Sequence, residues 1–305
     1  MYDIIVVGAG PAGLTAALYA ARANKSVILL EKSNYGGSMA LSPKIENFPS
    51  HIEISGYDLS ESIYGQVEAA GAQYREEQVL KLTASDGVWK AVTDGGTYFA
   101  KAVIIATGTR HKKVGAKNET EYIGNGISYC AACDGAFFRN KSVAVVGGGS
   151  SAAQEALYLA DICKSVTVLQ NLSELTAEKR LCDRLKEKEN ISLVFNTVIT
   201  EFVGDGKALT GVTAENAETK ETSEIPFDGV FVAIGLEPDN AAFAELIRLD
   251  DNGYILCDGD MKTDADGIFA AGDCRRKKIR QITTAMADGT TAAISACRYI
   301  DEMNK

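Results

Sequence analysis

No stretch of the 305 residues holds the ~20 consecutive apolar residues of a membrane-crossing helix, so no such span is expected. Positive charge is scarce. Lys and Arg number 31 against 41 Asp and Glu, a net charge of −10, and a chain this acidic is not expected to bind nucleic acid. Histidine is scarcer still, and His51 and His111 stand alone. The seven cysteines are odd in number and irregularly spread, which does not suit a regular disulfide framework. The opening "MYDIIVVGAG" enters an apolar strand at once. A secretory signal is therefore not expected, and the chain reads as cytoplasmic.

What is present is ordinary for a globular protein. Hydrophobic residues make up 46% and charged residues 24%, and the length suits two domains. The chain also repeats itself. Residues 4–31, "IIVVGAGPAGLTAALYAARANKSVILLE", align without gaps on residues 143–170, "VAVVGGGSSAAQEALYLADICKSVTVLQ". Gly8 and Gly10 fall on Gly147 and Gly149, and Lys25-Ser26-Val27 falls on Lys164-Ser165-Val166. Each copy reads as strand, glycine turn, alanine-rich helix and strand. That is a βαβ unit, whose parallel strands build a doubly wound sheet. The expected fold class is α/β, with two doubly wound, Rossmann-like dinucleotide-binding domains. Leu59, Ile63, Val67 and Ala70 recur at helical spacing and predict a helix over 58–70.

The first glycine turn is Gly8-x-Gly10-x-x-Gly13, with Pro11 and Ala12 inside it. Such glycines allow a tight turn, close approach to a pyrophosphate and close helix packing, and the helix start offers free N–H groups. Glu31 ends the next strand, where an acid bonds ribose hydroxyls. Adenine-dinucleotide binding is expected here. "VIIATG" (103–108) reads as a strand ending in the turn Ala106-Thr107-Gly108, and "GIFAAGD" (267–273) as a strand ending in Gly272-Asp273. With the first fingerprint, these stretches resemble the flavoproteins built on two dinucleotide domains. That resemblance implies FAD, with Asp273 at its ribityl and pyrophosphate region.

"YCAACDGAFF" (129–138) holds Cys130 and Cys133. Zinc would need two further ligands, and no second pair of Cys or His is spaced to supply them. A buried inert pair and a reversible redox disulfide are the other readings, and Cys-x-x-Cys spacing suits the second. Asp134 follows directly. It reads as a proton donor and acceptor for thiol–disulfide exchange, or as a helix or turn cap.

In chain order, "GAGPAG" (8–13), "CAACDG" (130–135), "GGGSSA" (147–152), "AAGD" (270–273) and "RQI" (280–282) resemble the bacterial low-molecular-weight thioredoxin reductase family, over nearly the whole length. The resemblance implies a redox disulfide in which Cys133 faces the flavin, Cys130 attacks the thioredoxin disulfide and Asp134 is the acid–base group. It implies FAD contacts at Lys32, at Gly37 and Ser38 of "GGS" (36–38), at Asn47 of "ENFP" (46–49), and at Arg280, Gln281 and Ile282. It also implies a homodimer, and a central domain inserted into the FAD domain and rotating against it. Domain limits are then expected at 1–114 plus 240–305 and at 115–239, with "GLEPDN" (235–240) as a hinge.

The family pattern breaks after the second fingerprint. By the constant offset, Gln170 stands where Glu31 stands in the first copy, so an NADH site lacks its carboxylate. An NADPH site wants bases next, and the family has His-Arg-Arg and another Arg four residues on. This chain has Gln170, Asn171, Leu172 and then Thr176, with Glu174 adding negative charge. Losing two or three charged hydrogen bonds of ~1.5–3 kcal/mol each weakens NADPH roughly 10²- to 10⁵-fold. Lys179 and Arg180, on a helix expected over 176–189, either compensate or form a solvated face. In this acidic chain "RRKKIR" (275–280) is unusual. Arg275, Arg276, Lys277 and Lys278 read either as a solvated surface or as a dock for an acidic carrier, and "RHKK" (110–113) adds to it. Ferredoxin fits by charge and by potential: at about −400 mV it lies about 130 mV below thioredoxin, ~6 kcal/mol for two electrons. The missing arginines resemble the ferredoxin-linked members of the family. Two other readings compete. A dithiol oxidase passes electrons to oxygen but usually carries His after its cysteine pair, and a non-catalytic flavoprotein would not need the intact pair.

Overall fold

The computed structural model describes residues 1–42, 45, 47–85 and 87–303, and the side chains of Ser85 and Cys133 lie outside that description. Glu46 of "ENFP" is also outside it. The chain forms two compact units, Met1–Arg110 with Glu237–Lys305, and His111–Leu236.

In the first unit, Tyr2–Val7 runs parallel between Val27–Glu31 and Thr97–Ile105. Gln73–Glu76 extends one side and Ile268–Ala270 joins Thr97–Ile105. The antiparallel Val88–Thr93 and Val79–Ser85 complete seven strands among the described residues. The central strands are buried on both faces, so they read as continuous apolar runs rather than alternating ones. Ile4, Val6, Leu29 and Ile104 fill one face, and Ile5, Val7, Ile28, Leu30 and Ile105 fill the other. Each such side chain contributes about 1.5–3 kcal/mol on burial. Helices Pro11–Arg22 and Ile282–Met303 pack on the first face. They approach so closely that a Cβ on Gly289 would strike the Ala12 carbonyl. The helix expected over 58–70 spans Gly56–Ala69, with Leu59, Ile63 and Val67 buried and Ala70 at its C-cap. Its N-cap Ser55 accepts the Asp58 N–H.

The second unit holds five parallel strands in the order Ile191–Val194, Ser165–Leu169, Ser142–Val146, Gly229–Val232, Ile127–Ser128. A separate antiparallel sheet is made of Thr197–Gly204, Leu209–Asn216 and Thr222–Pro226. Helix Ser150–Ala160 is the counterpart of Pro11–Arg22. The helix expected over 176–189 spans Lys179–Glu187 and buries only Leu181 and Leu185. In each unit the strand that opens the repeat lies where strand order reverses, so its glycine turn stands at the carboxyl edge where open α/β sheets take ligands. The two connecting segments, Thr109–His111 and Leu236–Pro238, pair as a short ribbon.

Candidate functional site

Gly8 leaves its strand at φ +101°, a conformation that needs glycine, and a Cβ there would strike the Ala106 carbonyl. The turn Ala106-Thr107-Gly108 therefore lies against the first fingerprint. Gly10 caps helix Pro11–Arg22 with extended backbone, no side chain bonds the helix start, and open space lies where a Cβ would stand. The free N–H groups suit a pyrophosphate. Glu31 braces the same turn: Oε2 accepts the Ala9 N–H at 2.8 Å and Oε1 the Ser33 N–H at 3.2 Å. The Ser33 hydroxyl also donates to Oε1 at 3.4 Å, and a carboxylate retains a lone pair beyond these three bonds. Glu31 lines a cavity of about 80 Å³ together with Gly8, Lys32, Thr107 and Asp239. Lys32 pairs with Asp239 at 2.6 Å, and the Thr107 hydroxyl donates to Asn240 Oδ1 at 3.0 Å. The Gly36 N–H reaches the Ala9 carbonyl at 2.8 Å, which sets Gly37 against Gly10. Ser38 follows in the same 3-10 turn. Asn47 Nδ2 donates to Gln281 Oε1 at 3.2 Å, and Ile282 begins the C-terminal helix.

In the first unit, two buried atoms lack hydrogen-bond partners among the described residues: Asp273 Oδ1 and Arg280 Nε. Arg280 lies over the Tyr254 ring at 4.3 Å. Burial pushes the Asp273 carboxyl above its ordinary range, against the downward pull of Lys277 and Arg280. An orphaned buried polar group costs about 1–3 kcal/mol, so these atoms call for a hydroxylated, phosphate-bearing ligand. The residues fit FAD: the Gly10 turn for its pyrophosphate, Glu31 for its ribose and Asp273 for its ribityl chain.

The second turn differs. Gly147 has φ +128° and faces the Ala233 carbonyl as Gly8 faces that of Ala106. Above it lies a cavity of about 520 Å³, walled by Gly147–Ser151, Gln170–Leu172, Thr176 and Thr197–Ile199 among others, with no Lys or Arg among the described residues of its lining. Gln170 is only 4% exposed. Its Nε2 donates to the Glu174 carbonyl at 3.1 Å and its Oε1 accepts the Asn171 N–H at 3.2 Å. The side chain lies on Gly148, where any Cβ would collide with it. It therefore braces the turn 171–174, whereas Glu31 braces the glycine loop itself. Lys179 and Arg180 are exposed on their helix and do not line the cavity.

Cys130 follows the strand Ile127–Ser128 and is disulfide-bonded. The side chain of Cys133 lies outside the described residues. The short helix Ala131–Asp134 closes with the Asp134 N–H on the Cys130 carbonyl at 3.1 Å. Ser128 Oγ accepts the Cys130 N–H at 3.1 Å and donates to Asp134 Oδ2 at 2.6 Å. Next to Cys130, the Tyr129 hydroxyl donates at 3.0 Å to buried Glu119, and burial with that bond raises the phenol above its ordinary range. Among the described residues no group of His, Cys, Asp and Glu is arranged to hold a metal.

Residues 2–289 match the pyridine nucleotide-disulphide oxidoreductases. The chain is 43% identical to the thioredoxin reductase of Listeria monocytogenes, over 100% of this chain and 96% of that one. It superposes on Lactococcus lactis thioredoxin reductase with a TM-score of 0.88 and 39% identity, covering 99% and 100% of the two chains. A ferredoxin-flavin thioredoxin reductase from Clostridium acetobutylicum is similar at a TM-score of 0.54 and 30% identity, covering 100% and 99%. This chain belongs to the bacterial thioredoxin reductase family. It is a flavoprotein disulfide reductase, and FAD is its cofactor.

For a thioredoxin reductase, the expected docking surface at Arg275, Arg276, Lys277 and Lys278 needs correction. Asp288 takes Arg275 at 2.8 and 2.7 Å and Lys277 at 2.7 Å. The Lys277 and Asp288 side chains are 7% and 8% exposed. Only Arg276 and Lys278 remain outward. Adjacency in the chain makes a basic run look like a surface, and it cannot show that an acid on the C-terminal helix neutralises half of it. Arg110 of "RHKK" is likewise engaged, with Glu237 at 2.9 Å.

Asp288 and Glu155 of this thioredoxin reductase escaped the sequence reading. Asp288 also accepts the Gly272 N–H at 3.1 Å, which anchors the turn carrying Asp273. Although burial opposes it, Arg275 and Lys277 hold the Asp288 carboxyl below its ordinary range. Glu155 has a buried Oε2 without a partner among the described residues, and burial pushes its carboxyl up to about 7. The repeat carries a signal for Glu155: the offset sets it on Ala16, a fully buried position of the first copy.

Proposed function

We propose that this chain reduces the disulfide of a thioredoxin through FAD and the Cys130–Cys133 pair, and that ferredoxin rather than NADPH supplies the electrons. The carrying observation is the cavity over the second glycine turn, which has no cation among the described residues of its wall and Gln170 sealed beneath it. A 2′-phosphate there would meet Asn171, Leu172 and Thr176. Bound FAD supplies the chemistry that joins one-electron to two-electron transfer. In this reading Cys133 is the thiol next to the flavin, Cys130 attacks the partner disulfide, and Asp134 takes and returns a proton. Arg276 and Lys278 are the exposed bases left to an acidic carrier. The protein acts as a cytoplasmic homodimer.

A second reading, an ordinary NADPH-dependent thioredoxin reductase, is favoured by the cavity itself, whose Gly147 turn keeps the shape of the Gly8 turn. An anaerobic titration separates the two. Reduced ferredoxin is expected to bleach the flavin absorbance readily, and micromolar NADPH is expected to leave it largely unchanged. Rapid bleaching by NADPH would establish the second reading.

A further inference from the structure

We infer that Ser128 is a positioning residue for thiol–disulfide exchange, its hydroxyl tying the backbone of Cys130 to the carboxylate of Asp134. The inference rests on the acid–base reading of Asp134. Ser128 ends a strand held in register with Phe231 of its neighbour and is 5% exposed. Its position is therefore set by the sheet and not by the cysteine turn. Its Oγ accepts the Cys130 N–H at 3.1 Å and donates to Asp134 Oδ2 at 2.6 Å. A hydroxyl has one proton to give. The alternative acceptor, the Cys130 carbonyl, is 3.3 Å away, and a carboxylate is the stronger acceptor. With the Asp134 N–H on the Cys130 carbonyl, the three residues close a ring of hydrogen bonds around one helical turn.

That turn is Ala131–Asp134, four residues long. A helix so short does not hold itself together in water. While the disulfide of Cys130 is closed, a covalent bond braces it. When the disulfide opens, that brace is gone, and Ser128 still links the turn to the sheet. Cys130 and Asp134 are four residues apart, on one side of the turn, and one fixed carboxylate oxygen leaves the other for the thiol.

The Cys130 thiol gives its proton to Asp134 and its sulfur attacks the partner disulfide. The partner S–S bond breaks, a mixed disulfide forms, and the departing partner sulfur takes the proton from Asp134. The thiol of Cys133 next attacks the Cys130 sulfur and breaks the mixed disulfide, and its proton leaves on the second partner sulfur. Two electrons and two protons have passed to the partner.

The test compares Ser128→Thr and Ser128→Val, which have the same shape with and without the hydroxyl. Each FAD-loaded protein is reduced anaerobically and mixed with oxidised thioredoxin in a single turnover, across a range of pH, beside Asp134→Asn. Ser128→Thr is expected to stay near the wild-type rate. Ser128→Val should slow exchange about tenfold or more and take on the pH profile of Asp134→Asn. In an Asp134→Asn background it should add less than about twofold, since residues that act as a unit are not additive. Equal losses in the Thr and Val variants, or losses that multiply with Asp134→Asn, would overturn the role of Ser128. An Asp134→Asn protein with unchanged rate and profile would instead remove the acid–base reading beneath it.

Discussion

Asp288 grips Arg275 with both carboxylate oxygens, Nε to Oδ2 at 2.8 Å and Nη2 to Oδ1 at 2.7 Å. The bases of "RRKKIR" thus fall into two sets that mutation should separate. Arg275→Glu places a second acid against a buried one, and breaking a buried pair costs about 3–5 kcal/mol. The expected outcome is a lower Tm and loss of FAD, read from the ratio of flavin to protein absorbance. Arg276→Glu, at an exposed site, should keep both values and slow only ferredoxin-driven turnover. That slowing should shrink as salt is added, because exposed charges are screened beyond ~8–10 Å. An Arg275→Glu protein with full FAD and wild-type Tm would count against the burial of that pair.

The cavity over Gly147 can be given what it lacks. Asn171 and Leu172 line it and are exposed. Replacing both with Arg should leave stability within about 0.5 kcal/mol and tighten NADPH about 10²-fold or more, since charged hydrogen bonds contribute ~1.5–3 kcal/mol each. NADH, with no 2′-phosphate, should gain little. Calorimetric titration of the two nucleotides reads this directly, and an equal gain for both would mean that the new bases contact something other than the phosphate.

Cys130→Ser and Cys133→Ser should each abolish thioredoxin reduction, because either removes the disulfide. Only Cys130→Ser retains the thiol assigned to the flavin side. A long-wavelength charge-transfer band is therefore expected in Cys130→Ser and not in Cys133→Ser. The opposite pattern would exchange the roles of the two cysteines.

Glu155 predicts a pH dependence of stability. Burial holds its carboxyl near about 7 in the folded chain, against 4.5 for the exposed group. The folded state therefore keeps the proton that the unfolded state has lost. Stability from this group is full below about pH 4.5 and is lost as pH rises through about 7, on the order of 3 kcal/mol in all. Glu155→Gln should remove that slope. Chemical denaturation at pH 5 and pH 8 should show the variant gaining on the wild type only at the higher pH. Parallel stabilities at both values would mean that the carboxyl is hydrated.

Both glycine turns were legible in the sequence because the repeat is gapless and the strands leading to them are buried on both faces, which forces unbroken apolar runs. The break at Gln170 was legible for the same reason: a constant offset turns a missing acid into a numbered position. How Gln170 is used was not, since a Gln at a strand end can reach a ligand or its own turn, and only the fold shows it bonded to Glu174 and Asn171. The basic run misled because Asp288 lies 13 residues beyond Arg275 and on another element. Ser128 gave no signal either. A serine two residues before a cysteine is unremarkable until the turn folds back and brings Asp134 to it.

The order of synthesis follows from how the first unit is interrupted. Tyr2–Val7, Pro11–Arg22 and Thr97–Ile105 leave the ribosome early, but Ile268–Ala270 and the helix Ile282–Met303 that complete their sheet and cover arrive last. Every strand of His111–Leu236 is made between these two instalments. Domains generally fold as units during synthesis, so the inserted unit is finished while the first still exposes the face that Ile282–Met303 will cover. The nascent chain spends that interval with Ile4, Val6 and Leu29 half-clothed. Chaperone capture, or a translational pause placed before residue 268, would act on the first unit and leave the cysteine-bearing one already built.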